Sequence, residues 1–276
     1  MQRLDPTGRS DADRDLSPYD GPRSHYILAT VQRTGSTLLA DTLWDTGVAG
    51  APMEYFSPGP LVDLFQRLHD AGLWERLQRW RRRRERAPVY IGEPGWGERE
   101  VRRYLCLVER ARTGSNGFFG LKIHFLQAQR AFFSKGLDLA AFFPGARYVY
   151  ITRNDQIRQA VSWVRARQSG VWDQRSPRVE LSPPRYDFEA IQKRLTVIRS
   201  SEASWEDWFA KSGIEPLRIC HEQLMAEFEP TARKVLRHIG VEDADTVPVP
   251  EPIWRPLSGP ERDLWAQRFR EESERA

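Results

Sequence analysis

A short strand that runs into a tight turn and then a helix constrains this chain more than any other stretch. Tyr26 to Val31 is an apolar, β-favouring run bounded by polar residues. Leu38, Leu39, Leu43 and Trp44 then keep roughly one face of a helix that Gly47 stops. Between them lies the turn, Gln32 to Thr37. Gly35 can take a positive φ and bring backbone close to a ligand. Ser36 and Thr37 open the helix, where unpaired N–H groups and the helix dipole favour an anion. With Arg33 beside them, the residues Gln32, Thr34, Gly35, Ser36 and Thr37 read as a phosphate cradle. A Gly-Ser-Thr before a helix is equally an ordinary N-cap. A Walker-type loop needs an earlier glycine and a Gly-Lys-Ser/Thr ending, and both are missing, which disfavours a magnesium-dependent NTPase.

The rest of the chain alternates strands with helices. Phe118 to Phe125, Arg147 to Thr152 and Leu217 to Cys220 read as strands. Leu61 to Arg86, Glu98 to Arg110, Asp138 to Phe143, Gln156 to Arg167, Phe188 to Phe209, Pro230 to Ile239 and a stretch from Glu261 read as helices. Such alternation implies right-handed crossovers and an α/β fold, a three-layer arrangement of a parallel sheet flanked by helices. Ligands collect at the carboxyl ends of strands in such sheets. Arg33 and Arg153 each follow a strand directly, so the topology joins them at one edge. Residues 1–24 are polar and aperiodic and read as a disordered leader, leaving 25–276 as a single domain.

With 276 residues, 40% of them hydrophobic, and ten tryptophans, the chain can fill a sizeable core, and Trp205 and Trp208 read as part of it. A net charge of +4 suits small anions without demanding nucleic acid. Arg79 to Arg86 holds six arginines in eight residues; this reads as a solvated face, with a patch for an acidic partner as the alternative. No nucleic-acid motif accompanies it, so no nucleic-acid partner is expected. Cys106 and Cys220 offer neither a disulfide framework nor metal-ligand spacing, which fits a reduced, cytoplasmic setting. No carboxylate cluster suggests a metal. No apolar run reaches membrane-spanning length, and acidic residues interrupt any signal-peptide pattern.

The run Gln32 to Leu39, the segments Thr46 to Gly50 and Pro52 to Phe56, then Asn116 to Gln127 and Tyr148 to Trp172, closely resemble the bacterial trehalose 2-O-sulfotransferase family. The resemblance implies the P-loop-like sulfotransferase fold and 3′-phosphoadenosine 5′-phosphosulfate (PAPS) as sulfuryl donor, with no metal. It places Glu54 at the general base, and desolvation by the adjacent Tyr55 and Phe56 is expected to raise the pKa of that carboxyl toward the working pH. Arg33 is expected to stabilise the leaving phosphate, and the Gln32–Thr37 loop to hold the 5′-phosphosulfate. By the same resemblance Arg153 and Ser162 hold the 3′-phosphate, and Arg255 sits in a late cofactor-facing loop. Tyr55, Phe56, Lys122, Gln168 and Trp172 would border the acceptor.

Lys122 can equally be a snorkelling strand lysine. His124 shows no partner and reads as core or edge packing. The implied acceptor is a hydroxyl of a sugar, a glycolipid or another small alcohol. Ala51, in a position that many family members fill with Glu beside that pocket, is a departure bearing on which alcohol. A homodimer is also implied. A small-molecule kinase using ATP, and a noncatalytic nucleotide-binding or interaction protein, are the rival readings.

Overall fold

The computed structural model of the chain describes residues 11–57, 97–172, 183–252 and 259–275. The expected helix Leu61 to Arg86, the arginine run within it and Arg255 lie outside them. In chain order the elements are β1 (Ser24–Thr30), α1 (Ser36–Asp45), α2 (Glu98–Arg112), β2 (Phe118–His124), α3 (Phe125–Ala131) and α4 (Leu139–Phe142). They continue with β3 (Arg147–Thr152), α5 (Gln156–Ser169), α6 (Phe188–Ser212), β4 (Leu217–Cys220), α7 (His221–Ala226), α8 (Phe228–Ile239) and α9 (Pro260–Ser273).

The four strands form one sheet in the order β2-β1-β3-β4, and every pairing is parallel. Helices cover both faces, so the strands are apolar on both sides and the side chains sort by alternation. Ile27 and Ala29 of β1, with Leu121, Ile123, Tyr148 and Tyr150, join a core with α2, α3, α5, α6 and α9. Tyr26 and Leu28, with Val149, Ile151 and Ile219, join a second core with α1 and α8. Trp205 is fully buried in the first core, and Trp208 packs against it. This is the expected three-layer α/β architecture.

Helix ends follow local chemistry. Asp138, Asp155 and Asp187 accept from backbone N–H groups at the starts of α4, α5 and α6. Glycines in the left-handed region end α5, α6 and α8. β2 stops at His124, one residue short of the expected end, because Phe125 already belongs to α3.

Residues 11–23 were expected to belong to an unstructured leader, but the structure holds them against the domain. Arg14 and Asp41 form a buried pair at 2.6 Å, Asp15 pairs with the fully buried Arg112 at 2.8 Å, and the Leu16 N–H donates to the Ala111 carbonyl at 2.7 Å. Their partners, on α1 and at the end of α2, are far away in sequence, and no local periodicity announces them. Among the described residues no helix is long and apolar enough to cross a membrane.

Candidate active site

The segment after α1 runs along the outer edge of β2. Met53 bridges Leu121 in parallel register, and its carbonyl accepts from the Lys122 N–H at 2.9 Å. That contact sets Glu54 beside the carboxyl end of β2. Lys122 and His124 stand two residues apart on the strand, so they share the face opposite Leu121 and Ile123. Glu54 Oε1 accepts from Lys122 Nζ at 2.7 Å and pairs with His124 Nε2 at 3.1 Å, while Oε2 accepts from Gln127 Nε2 at 2.9 Å. Gln127 is oriented by the His124 backbone N–H, which donates to its Oε1 at 2.9 Å. Lys122 also donates to Thr37 Oγ1 at 2.7 Å, in the first turn of α1.

These contacts decide two open readings. Lys122 is only 3% exposed, so it does not snorkel; its ammonium spans the carboxylate and the helix start. His124 is a carboxylate partner rather than core packing, and its Nδ1 is buried with no hydrogen-bond partner among the described residues. The expectation for the Glu54 carboxyl is reversed. Burial alone raises its pKa, but the charges of His124 and Lys122 and their hydrogen bonds outweigh it and hold the group well below the ordinary carboxylate range.

The adjacent rings are not its environment. Tyr55 stacks on Phe119 and donates to the Ala51 carbonyl, Phe56 packs against Tyr104 and Phe132, and all of this lies inside the core. Tyr55 and Phe56, expected to border the acceptor, are thus buried core side chains. Ala51 is fully buried as well, with its N–H donating to the Arg112 carbonyl at 3.1 Å.

The cradle next to them is built from strained and pinned backbone. Gly35 has φ +82°, and Arg33, at φ 72°, is the one non-glycine with positive φ among the described residues. Thr34 between them is fully buried and turns its hydroxyl inward, 2.6 Å from Thr30 Oγ1. The base of the loop is tied down at two more points. Trp205 Nε1 donates to the Thr30 carbonyl at 3.0 Å, and Gln159 Nε2 donates to the Gln32 carbonyl at 2.7 Å. Behind the loop His221 Nδ1 lies 3.2 Å from the Thr34 carbonyl. A carbonyl only accepts, so Nδ1 carries the proton; burial, then Arg153, push the ring's pKa down and favour its neutral form. A Cβ on Gly35 would sit 3.0 Å from that nitrogen. Gly35 offers no side-chain cap, so the first-turn N–H groups of α1, a helix of ten residues, face outward without one.

The strand-end arginines meet as the topology requires. Arg33 Nε donates to Ser162 Oγ on α5 at 3.1 Å, Arg33 Nη1 donates to the Trp172 carbonyl, and Arg153 Nη1 donates to the Arg33 carbonyl at 3.4 Å. Arg153 does not pair with Asp155, whose carboxylate is taken by Arg270 at 3.0 Å and Arg158 at 3.6 Å. Its Nε is buried with no hydrogen-bond partner among the described residues. Gln168 accepts the Arg185 N–H at 2.9 Å, and the Trp172 side chain is exposed. The structure thus brings together Arg33, Arg153, Ser162 and the backbone of Trp172. Separately it groups Glu54, Lys122, His124 and Thr37. Arg262, on the first turn of α9, belongs to the arginine group and was not foreseen. Burial, then the charges of Arg33, Arg165 and Arg153, push its pKa down to about 10. The only sequence signal was a cation in the first turn of a helix, where the dipole disfavours one. Among the described residues there is no cluster of three or more His, Cys, Asp or Glu arranged to hold a metal ion.

The chain is similar to the trehalose 2-sulfotransferase of Mycolicibacterium smegmatis, 29% identical over 279 residues that cover 93% of this chain and 97% of that one. It is equally similar to the trehalose 2-sulfotransferase of Mycobacterium tuberculosis, 29% identical over 92% of this chain and 96% of that one. A solved sulfotransferase domain from the Synechococcus PCC 7002 olefin synthase aligns over 92% of this chain and 98% of its own, but at 15% identity and a TM-score of 0.39 it is too distant to bear on the fold. The model of the Stf0 sulphotransferase family matches residues 25–272, and the chain therefore belongs to that family of transferases.

Proposed function

We propose that the protein moves a sulfuryl group from PAPS to a hydroxyl of a sugar, a glycolipid headgroup or another small alcohol, with Glu54 as general base. The observation that carries this reading is the placement of Lys122. One buried ammonium lies 2.7 Å from the carboxylate and 2.7 Å from the Thr37 hydroxyl at the helix start. A base for the acceptor and a cradle for an anion are thereby held on either side of a single cation.

The residues fit such a donor. The Gly35 turn and the uncapped start of α1 suit a 5′-phosphosulfate, and the unsatisfied Arg153 Nε with Ser162 suits a second phosphate. When bound, the donor supplies sulfur already activated by its bond to phosphate. The chain's own task is positioning and charge neutralisation. The acceptor O–H gives its proton to Glu54 as its oxygen bonds to sulfur and the sulfur–phosphate oxygen bond opens. The electron pair stays on the phosphate oxygen, where the loop N–H groups, Thr37 and Lys122 can meet it.

A depressed carboxyl is fully ionised at neutral pH, as a base must be, but it is weak while Lys122 holds it. An anionic donor seated at Thr37 gives Lys122 a second partner, and each bit of charge it shares there makes Glu54 more basic. Arg33 reaches Ser162 rather than the helix start, so on this reading it serves the second phosphate, and Lys122 takes the leaving-phosphate role expected of Arg33.

Isothermal calorimetry with 3′-phosphoadenosine 5′-phosphate, AMP, and ATP with magnesium tests the donor assignment. The reading requires preference for the bisphosphate and its loss in Arg153→Ala. A preference for ATP with magnesium would favour a kinase instead.

A further inference from the structure

Among the described residues Arg262 forms no ion pair. Its neighbours on α9 are both committed: Glu261 pairs with Arg165 at 2.6 Å, and Asp263 pairs with Arg158 at 2.9 Å. These two bridges clamp the start of α9 onto α5, the helix that carries Ser162. They leave Arg262 half-buried between them, with no ion pair or side-chain hydrogen bond to any described residue. Arg158, Ser162 and Arg165 fall at i, i+4 and i+7 on one face of α5, so the two bridges set Arg262 over the turn that carries Ser162. There burial, then the charges of Arg33, Arg165 and Arg153, lower its pKa against one carboxylate, Glu261, which Arg165 already occupies. Repulsion of this kind is costly in a partly desolvated place unless an anion completes the cluster. The same cluster contains the buried, unsatisfied Nε of Arg153 and the Ser162 hydroxyl.

We infer that Arg262 is a third cationic ligand, with Arg153 and Arg33, for a phosphate monoester dianion seated beside Ser162. This rests on the proposed donor and adds a residue to its second phosphate, one reached from the last helix of the domain. The helix start is not itself the ligand, since its dipole and the guanidinium side chain both present positive charge there. The clamp gives Glu261 and Asp263 a definite role: they position Arg262 while their carboxylates stay paired with Arg165 and Arg158.

The test is competition binding of adenosine 3′,5′-bisphosphate and of AMP to wild type, Arg262→Ala, Arg262→Lys and Arg153→Ala. Arg262→Ala is expected to weaken the bisphosphate roughly ten- to hundred-fold and leave AMP within about threefold, with Arg262→Lys in between. Ligand-free Arg262→Ala should melt no lower than wild type, because the change relieves repulsion. Equal affinity of the two nucleotides in wild type would overturn the donor reading and this inference together. A bisphosphate preference that collapses in Arg153→Ala but survives in Arg262→Ala would overturn this inference alone. An equal loss of both nucleotides in Arg262→Ala would also overturn it.

Discussion

Replacing Glu54 by Gln keeps the shape of the side chain and removes its charge, which separates the ion pair from the packing. In the wild type, Lys122 is almost wholly buried while the Glu54 side chain is a quarter exposed. A charge-assisted hydrogen bond contributes about 1.5–3 kcal/mol. Partial exposure and the surviving Thr37 bond reduce the expected loss to about 1–2 kcal/mol. For a domain of this size that lowers the melting temperature by roughly 2–8 °C. Lys122→Met alone leaves the carboxylate with His124 and Gln127, and its cost should be similar. The double variant leaves neither charge unpaired, so it should cost about 1 kcal/mol less than the sum of the singles. Activity should behave differently: Glu54→Gln falls ~10²- to 10⁴-fold, and adding Lys122→Met restores none of it. Denaturant unfolding of the four proteins, with turnover measured on the same samples, gives the cycle. Additivity within about 0.3–0.5 kcal/mol would refute the ion pair as the link between base and cradle.

Further expectations rest on the same geometry. Arg33→Gly should be more stable than Arg33→Ala by about 1 kcal/mol in chemical denaturation, because only glycine holds φ 72° without strain; both should lose donor affinity, and equal stability would mean the turn relaxes. Gly35→Ala should lower stability by about 1–2 kcal/mol and abolish measurable donor binding, since its Cβ meets His221 at 3.0 Å at φ +82°. The depressed Glu54 carboxyl gives a signed pH effect: its contribution is present above the unfolded value of 4.5 and is lost as pH falls through the lower folded value. The stability gap between wild type and Glu54→Gln should therefore stay level from pH 7 to about pH 5 and close below it; a gap that closes near neutrality would place that pKa on the wrong side.

The elements that follow local rules were legible without a structure. β1, the Gly35 turn and α1 announce themselves by periodicity and by a glycine at a positive φ, and the strand-end rule put Arg33 and Arg153 together. What resisted reading was every contact whose partner is distant in sequence. Glu54 meets His124 across 70 positions, so neither residue alone shows that it is half of a pair. One signal was available: Lys122 and His124 at alternate positions of a strand share a face, and a lysine on a buried face needs a carboxylate. Tyr55 and Phe56 misled for a related reason. Adjacency in sequence suggested a hydrophobic pocket around Glu54, but the bridge at Met53 sends these rings into the core and the carboxylate out to β2. Arg262 was invisible because its role depends on α9 docking against α5.

The most direct measurement is turnover of PAPS with a panel of sugars and simple alcohols in the presence of a chelator. Mass spectrometry would follow the nucleotide bisphosphate and the sulfated product together, in wild type and in Glu54→Gln. The account predicts equal amounts of both products from wild type and a rate at least ~100-fold lower from the variant. Bisphosphate release with no sulfated alcohol, or a Glu54→Gln rate matching wild type, would contradict it.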